Sequence, residues 1–287
     1  MSTPVDVNLS SAPDGLGVLA FRGIDAAKFL QGQLSANVEK LDAGASALAG
    51  LHNPQGRVFA LLAVVRTSTE EFFAVLPREL AAGVAQRLRK FVLRSKVVVE
   101  EVSDNYCVLG SEDPTPSPGM ASLAWGTRRL LLAPGRPGEF EVAGPAALAR
   151  WQIADITEGL PQVYTATSEA FVAQMLNLDL LGAIAFDKGC YTGQEVIARA
   201  HYRGRVKRRL QRWHVADGAA PIAGASVRSA DGRALTVVRS APGAAGGWDL
   251  LAVGTFATGS EDAPGADPGA QPGPVTGPLA LPYPLPE

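Results

Sequence analysis

The sequence predicts an α+β protein built on antiparallel sheets, with a separate β-rich unit toward its carboxy end. Three observations carry this prediction. Between residues 58 and 109 the order is strand, strand, helix, strand, strand, the pattern of an antiparallel sheet with helices on one side. Beyond residue 205 the pattern changes to short strand candidates punctuated by Asp231-Gly232 and Gly246-Gly247, the turn signals of a small barrel or sandwich. A chain of 287 residues is also long enough for two or three domains whose cores need no covalent staples.

Gly17 to Phe21 reads as a strand, and Gly23-Ile24-Asp25 turns into a helix with Asp25 as its cap and Phe29, Leu30 and Leu34 near one face. Leu48 to Leu51 leads to a turn at His52-Asn53-Pro54-Gln55-Gly56-Arg57, followed by adjacent strands at Val58 to Arg66 and Glu71 to Leu76. Pro77 suits the first turn of a helix, where its missing amide proton costs no internal bond. Leu80, Val84, Leu88 and Phe91 or Val92 form that helix's apolar stripe. Lys96 to Glu101 and Tyr106 to Leu109 read as strands. After a proline-bearing linker at 111–120 come short strands at Leu123 to Trp125 and Arg129 to Leu132, then a helix opened by Pro145 and running through Trp151. Thr167 or Ser168 caps a further helix through Leu176. Asn177, Gly182 and Gly189 then interrupt the pattern and place Cys190 in a loop. Arg209 to Val215, Ser226 to Arg228, Ala234 to Arg239 and Trp248 to Val253 are the carboxy-terminal strands. Residues 258–278 mix proline, glycine and acidic groups and read as an extended connection, with Leu279 to Tyr283 docking back as an edge strand.

Two cysteines, Cys107 and Cys190, cannot furnish a disulfide framework or a four-ligand zinc site, so a reducing compartment, the cytoplasm, is the expected setting. The amino end, Met1 to Asp6, has neither the basic start nor the apolar stretch of a secretory signal. The longest strongly apolar run, Val58 to Val65, is eight residues, far short of a bilayer span, and no membrane partner is expected. A formal net charge of −2 gives the whole molecule no pull toward polyanions. Locally the balance differs: seven basic residues, Arg199, Arg203, Arg205, Lys207, Arg208, Arg209 and Arg212, occur without one acid between them.

The most informative stretch is Lys188-Gly189-Cys190-Tyr191-Thr192-Gly193-Gln194-Glu195. It sets a cysteine between glycines and close to a lysine, a composition that gives up packing for backbone freedom. A thiol acts as nucleophile, redox group or soft-metal ligand through its accessible thiolate. Lys188, with Arg199, Arg203 or Arg205 approaching after a turn, is expected to supply positive potential there. A lone cysteine can equally be a packed thiol. Tyr191, Gln194 and Glu195 suit construction of the loop as well as contact with a ligand. His201 and His214 have no standard metal spacing, and no metal ligands are assigned. The basic run suits carboxylate or phosphate groups. It lacks the interleaved aromatic platforms of a single-strand binder, so direct nucleic-acid binding is not expected.

The motif Phe186-Asp187-Lys188-Gly189-Cys190-Tyr191-Thr192-Gly193-Gln194-Glu195, followed by Ala198-Arg199 and Tyr202-Arg203-Gly204, resembles the YgfZ-type folate-binding proteins, relatives of the glycine-cleavage aminomethyltransferase. The resemblance extends upstream through Gly159-Leu160-Pro161, Phe171, Gln174 and Asn177-Leu178. It reaches the amino end through Gly23, Phe29-Leu30-Gln31-Gly32-Gln33 and Asn37-Val38. It implies a three-domain cloverleaf around a central cavity, with antiparallel α+β domains and a carboxy-terminal β-barrel. Residues 1–44 plus 111–204 then form a discontinuous folate-binding domain, 45–110 an inserted α+β domain, and 205–287 the barrel.

The resemblance further implies tetrahydrofolate or a one-carbon-substituted folate as cofactor. Its partners would be iron-sulfur client proteins, including enzymes that thiolate transfer RNA, whose clusters it helps assemble, maintain or repair. Cys190 is the residue tied to that role, with Lys188 tuning it at the mouth of the cavity. Gln33, Asn37, Arg57, Gln174, Asn177, Glu195, Arg199 and Arg203 are candidate folate contacts. The alternative is a folate-dependent aminomethyl transferase. That activity is disfavoured because Gly56-Arg57-Val58-Phe59-Ala60-Leu61-Leu62 lacks the carboxylate expected just after the turn.

Overall fold

The computed structural model describes residues 6–113, 115, 120–142, 144–204, 206–256 and 275–286. Arg205 and most of the expected 258–278 connection lie outside the described residues. Strands β1 (Val7–Asn8) and β2 (Leu16–Arg22) precede helix α1 (Ala26–Gln33), and β3 (Ser46–His52), β4 (Val58–Arg66) and β5 (Glu71–Pro77) follow. Helix α2 (Arg78–Arg89) leads to β6 (Val98–Glu101). These strands form one antiparallel sheet in the order β3-β4-β5-β2-β6. Strand β2 comes from the amino-terminal stretch that the resemblance groups with 111–204, yet it bonds on both edges to strands of the 45–110 segment.

Both faces of this sheet are covered. Leu19, Phe21, Leu62, Val64 and Phe72 pack with Phe29 and Leu30 of α1 and with Leu80, Val84 and Leu88 of α2. Val18, Ala20, Ala63, Val65 and Phe73 pack against a second sheet. With no wet face there is no polar alternation to preserve, which is why β4 and β5 read as nearly unbroken apolar runs. The second sheet contains β7 (Tyr106–Ser111), β8 (Ala121–Trp125) and β9 (Arg128–Pro134), ordered β1-β7-β9-β8.

Helix α3 (Pro145–Thr157) starts at Gly144 with proline in its first turn, and α4 (Gln194–Tyr202) follows the Cys190 loop. Strands β10 (Arg208–Val215), β11 (Ser226–Arg228), β12 (Ala234–Pro242), β13 (Trp248–Thr255) and β14 (Val275–Leu279) make the third sheet, ordered β11-β12-β13-β10-β14. It curls as a half-barrel, and a bridge from Ser229 to Val275 brings β14 back beside β11. Past β14, Tyr283 donates its hydroxyl to Gly159 O at 2.8 Å and anchors the tail to the end of α3.

Three local expectations are corrected. Asp25 precedes α1 but makes no capping bond; its carboxylate instead accepts the Lys96 amide at 2.6 Å. Pro77 is the residue before α2 and not its first turn; of the two alternatives that close the α2 stripe, Val92 is the one that packs, as Phe91 faces solvent. The helix expected over 167–176 is absent. Only 3-10 turns at Thr165–Thr167 and Ala173–Leu176 form there. Glu169, at φ +60, leaves the helical region, and the segment bonds to β4 instead, with Val58 N on Phe171 O and Glu169 N on Val58 O. Tertiary hydrogen bonds outweigh local helix preference.

Asp155 of α3 joins the second sheet to the half-barrel. Its carboxylate accepts Arg128 Nη2 of β9 at 2.6 Å and Trp125 Nε1 at 2.8 Å, and pairs with Arg239 of β12 at 2.9 Å, all three charges being buried. Asp155→Ala leaves two buried guanidinium groups short of their carboxylate and is expected to cost about 3–5 kcal/mol. Urea unfolding measures this, and an unchanged midpoint rejects the role.

Candidate functional site

The site is assembled at the carboxy end of α1. The last carbonyls of a helix lack internal partners, and here a lysine from far along the chain supplies them. Lys188 Nζ donates to Gln31 O at 2.8 Å, Leu34 O at 2.5 Å and Ala36 O at 2.7 Å. An ammonium has three protons, so all are committed. Burial pushes its pKa down to about 8, with Glu39 pulling the other way. At neutral pH the group therefore still carries the charge that a helix end and three carbonyl dipoles favour. Ser35 adds a second fastening: its hydroxyl donates to Ala183 O at 2.6 Å, and its carbonyl accepts Ala185 N at 2.9 Å.

On the other side the loop rests on the 53–56 turn. Asn53 Oδ1 accepts the amides of Gln55 and Arg57, closing that turn. Gly193, at φ +81, lies so close that an added Cβ would stand 2.5 Å from Asn53 O and 3.0 Å from the Gly56 Cα. Only glycine serves both the left-handed backbone and the contact. Tyr191 is buried between these supports, with Lys188 Nζ 5.0 Å from its ring centre and the His52 ring 6.2 Å away. His52 is 1% exposed, and neither ring nitrogen has a hydrogen-bond partner among the described residues. Gly50 lies so close that a Cβ added there would stand 2.4 Å from the ring Cε1. Burial drives the imidazole pKa down to about 3.

Cys190 is exposed, reduced and without a hydrogen-bond partner among the described residues, as expected of a loop thiol. Lys188, its expected partner in catalysis, is spent on α1. The loop continues into α4, where Phe186 stacks on His201 at 3.8 Å and meets Tyr202 edge-on at 6.0 Å.

A cleft of about 440 Å³ opens beside the carboxy end of α4, walled by Leu180, Ala200, Val206 and Pro286, with Gln174, Asp179, His201 and Arg209 as its polar groups. Cys190 is not among its lining residues and sits at the opposite end of α4. Arg209 holds Asp179 in a fork, with both N–H···O distances 2.9 Å. Gln174 is 1% exposed; its Nε2 donates to Ile197 O at 2.8 Å, while its Oε1 has no partner among the described residues. A buried acceptor left open costs about 1–3 kcal/mol.

The other sequence candidates divide between framework and surface. Asn177, at φ +57, is fully buried; it donates to Leu210 O and Tyr283 and accepts from Arg209. Asn37 accepts from Gln31 Nε2 at 3.0 Å and shapes the turn after α1. Arg57 is exposed and donates to Ala170 O at 2.7 Å. Gln33 is half-buried at the end of α1. Glu195, Arg199 and Arg203 are exposed along α4. The basic run is split: Arg208 bonds Thr236, Arg209 pairs with Asp179 and Arg212 with Asp249, which leaves Arg199, Arg203 and Lys207 on the surface. His214 meets Asp249 at 2.7 Å. Asp179, Leu180, Val206 and Pro286 had no sequence signal, because the cleft gathers them from segments far apart in the chain.

No protein-family model matches the chain. An uncharacterized protein of Haemophilus influenzae is 33% identical over 195 residues, covering 67% of this chain and 69% of the relative. The structure is similar to the glycine cleavage system aminomethyltransferase T from Bartonella henselae, with a TM-score of 0.68 over 87% of this chain and 78% of that one, at 14% identity. That likeness establishes the fold, an α+β architecture of antiparallel sheets.

Two measurements test the loop's supports. Lys188→Met keeps the stem but removes the ammonium; it should cost about 2 kcal/mol and speed amide exchange across 186–193. Unchanged exchange there rejects the clamp. His52 is neutral in the fold and protonates readily when unfolded. Stability should therefore be complete above pH 6.5 and fall as pH drops from 6.5 toward 3, by about 1.4 kcal/mol per pH unit. His52→Phe should lack that component, and identical pH profiles for variant and wild type would refute it.

Proposed function

Because the chain belongs to the same family as the Haemophilus influenzae protein and shares the fold of an aminomethyltransferase, we propose that it is a YgfZ-type protein, a tetrahydrofolate-binding accessory factor. It supports the assembly, maintenance or repair of iron-sulfur enzymes, including those that thiolate transfer RNA. The observation that carries this reading is the pairing on one helix of an exposed thiol ahead of α4 and a vitamin-sized cleft at its far end. Ligand pockets run from about 300 to 1,000 Å³ and combine apolar walls with a few polar groups, and this cleft meets both requirements.

The orphaned Gln174 Oε1 is the test of fit for a reduced folate. A pterin ring offers amide and amine N–H donors that such an acceptor takes, and Leu180, Val206 and Ala200 offer apolar walls for the heterocycle. Asp179, held by Arg209, is a second acceptor, and Arg199 and Arg203 on α4 suit the anionic glutamate tail. A reduced folate supplies a carrier for one-carbon units. The chain's own residues bind and orient it, while Cys190 offers its thiolate to a client protein or its metal. Aminomethyl transfer is disfavoured, since Gly56-Arg57-Val58-Phe59-Ala60-Leu61-Leu62 carries no carboxylate.

Calorimetric titration with 5-formyltetrahydrofolate tests the cleft. Val206→Trp, which fills it without touching the buried amide, should abolish binding, and Gln174→Leu should weaken it about tenfold. Unaltered affinity in both variants rejects the cleft. Cys190→Ala should bind folate normally but fail to restore iron-sulfur enzyme activity in cells lacking the protein; full rescue removes the sulfur from the function.

A further inference from the structure

A surface patch lies where α2 ends and β6 begins, and none of its residues lines the cleft. Four large apolar side chains face solvent in this region: Ile24 is 66% exposed, Phe91 47%, Leu93 90% and Val98 57%. Backbone contacts bring them to one end of the first sheet. Asp25 N donates to Lys96 O, the Asp25 carboxylate accepts Lys96 N, and Arg22 is the register partner of Val98. Leu93 holds φ +34 in the turn between α2 and β6. A bulky residue in the left-handed region is strained, and here the strain gains no packing, because the side chain projects into water.

Interleaved with these groups are Arg89, Lys90, Arg94 and Lys96, all exposed. Among the described residues none is paired with a carboxylate, whereas Arg22, Arg78, Arg128, Arg209 and Arg239 each have one. Arg89 donates to the Val99 carbonyl at 2.8 Å.

We propose that this patch docks on an anionic lipid surface. The four cations meet phosphate headgroups, and Leu93, Phe91 and Ile24 enter the boundary with the acyl chains. Arg89 and Lys90 precede Phe91 and Leu93, and Arg94 and Lys96 follow them, so charge that suits headgroup phosphates stands on both sides of the exposed apolar groups. No described helix is long and apolar enough to cross a membrane, so the contact is with the surface. The expectation of no membrane partner rested on the length of apolar runs, which is silent about such a patch.

Co-sedimentation of the full chain with unilamellar vesicles tests the assignment. Vesicles containing phosphatidylglycerol should carry the protein down at low salt, pure phosphatidylcholine vesicles should not, and high salt should release it. Joint Lys90→Glu and Arg94→Glu replacement should lower the partition at least tenfold. Leu93→Gly relieves the backbone while removing the inserted group; it should reduce binding several-fold without lowering the thermal midpoint. Cys190→Ala and Val206→Trp should bind vesicles as the wild type does, which separates this surface from the folate reading. Absence of binding to anionic vesicles, or binding indifferent to both patch variants, overturns the proposal. Retention on single-stranded RNA or polyglutamate without vesicle binding also overturns it, in favour of a soluble polyanion.

Discussion

The Lys188 ammonium, with its protons on the carbonyls of Gln31, Leu34 and Ala36, joins the end of α1 to the Cys190 loop, and the rest of the site takes its position from that junction. Helices commonly end with a left-handed glycine that lets the backbone turn back on its own carbonyls. Here Leu34 is extended, at φ −107 and ψ 154, so the carbonyls face outward and a distant cation satisfies them. A solvent-facing thiol thereby rests on a well-supported base. The lysine shapes the ground from which the sulfur projects, and its own hydrogen bonds are used up in doing so.

The same division runs through the arginines. Arg128 and Arg239 converge on Asp155, Arg209 grips Asp179, and Arg212 meets Asp249. Each of these pairs joins residues distant in sequence. Formal charge along the chain therefore says little about surface potential, because Arg209 and Arg212 of the run at 199–212 are neutralised by Asp179 and Asp249 while Arg199, Arg203 and Lys207 stay on the surface. The four cations at 89–96 are unpaired by acids among the described residues and shape the local field.

How much was legible follows from the range of the interactions. Strands β2, β4, β5 and β6, the Leu80-Val84-Leu88 stripe and the exposed loop around Cys190 are local patterns, and they appear where periodicity and glycine spacing put them. Insertion of β2 between β5 and β6 was not legible, since pairing across fifty or more residues leaves no local trace. Asp25 looked like a cap because its type and place suit one, but the Lys96 amide is a competing donor from another element. The missing helix at 167–176 has the same cause, with the edge of β4 as competitor. Gln174 was a candidate by resemblance alone; its open acceptor emerges only when Ile197, Arg209 and Asp179 surround it.

Helix α4 has a geometric consequence for how such a chain can vary. Its nine residues make a bar about 13 Å long, and each residue added or removed would turn one end by about 100° relative to the other. The glycine contact at Gly193 clamps one end, and the stack of Phe186 on His201 restrains the other. A change of length by one residue would swing the cleft wall out of phase with the thiol. The spacing from Gly193 to Gly204 acts as a ruler, and its length matters more than most of the letters written on it.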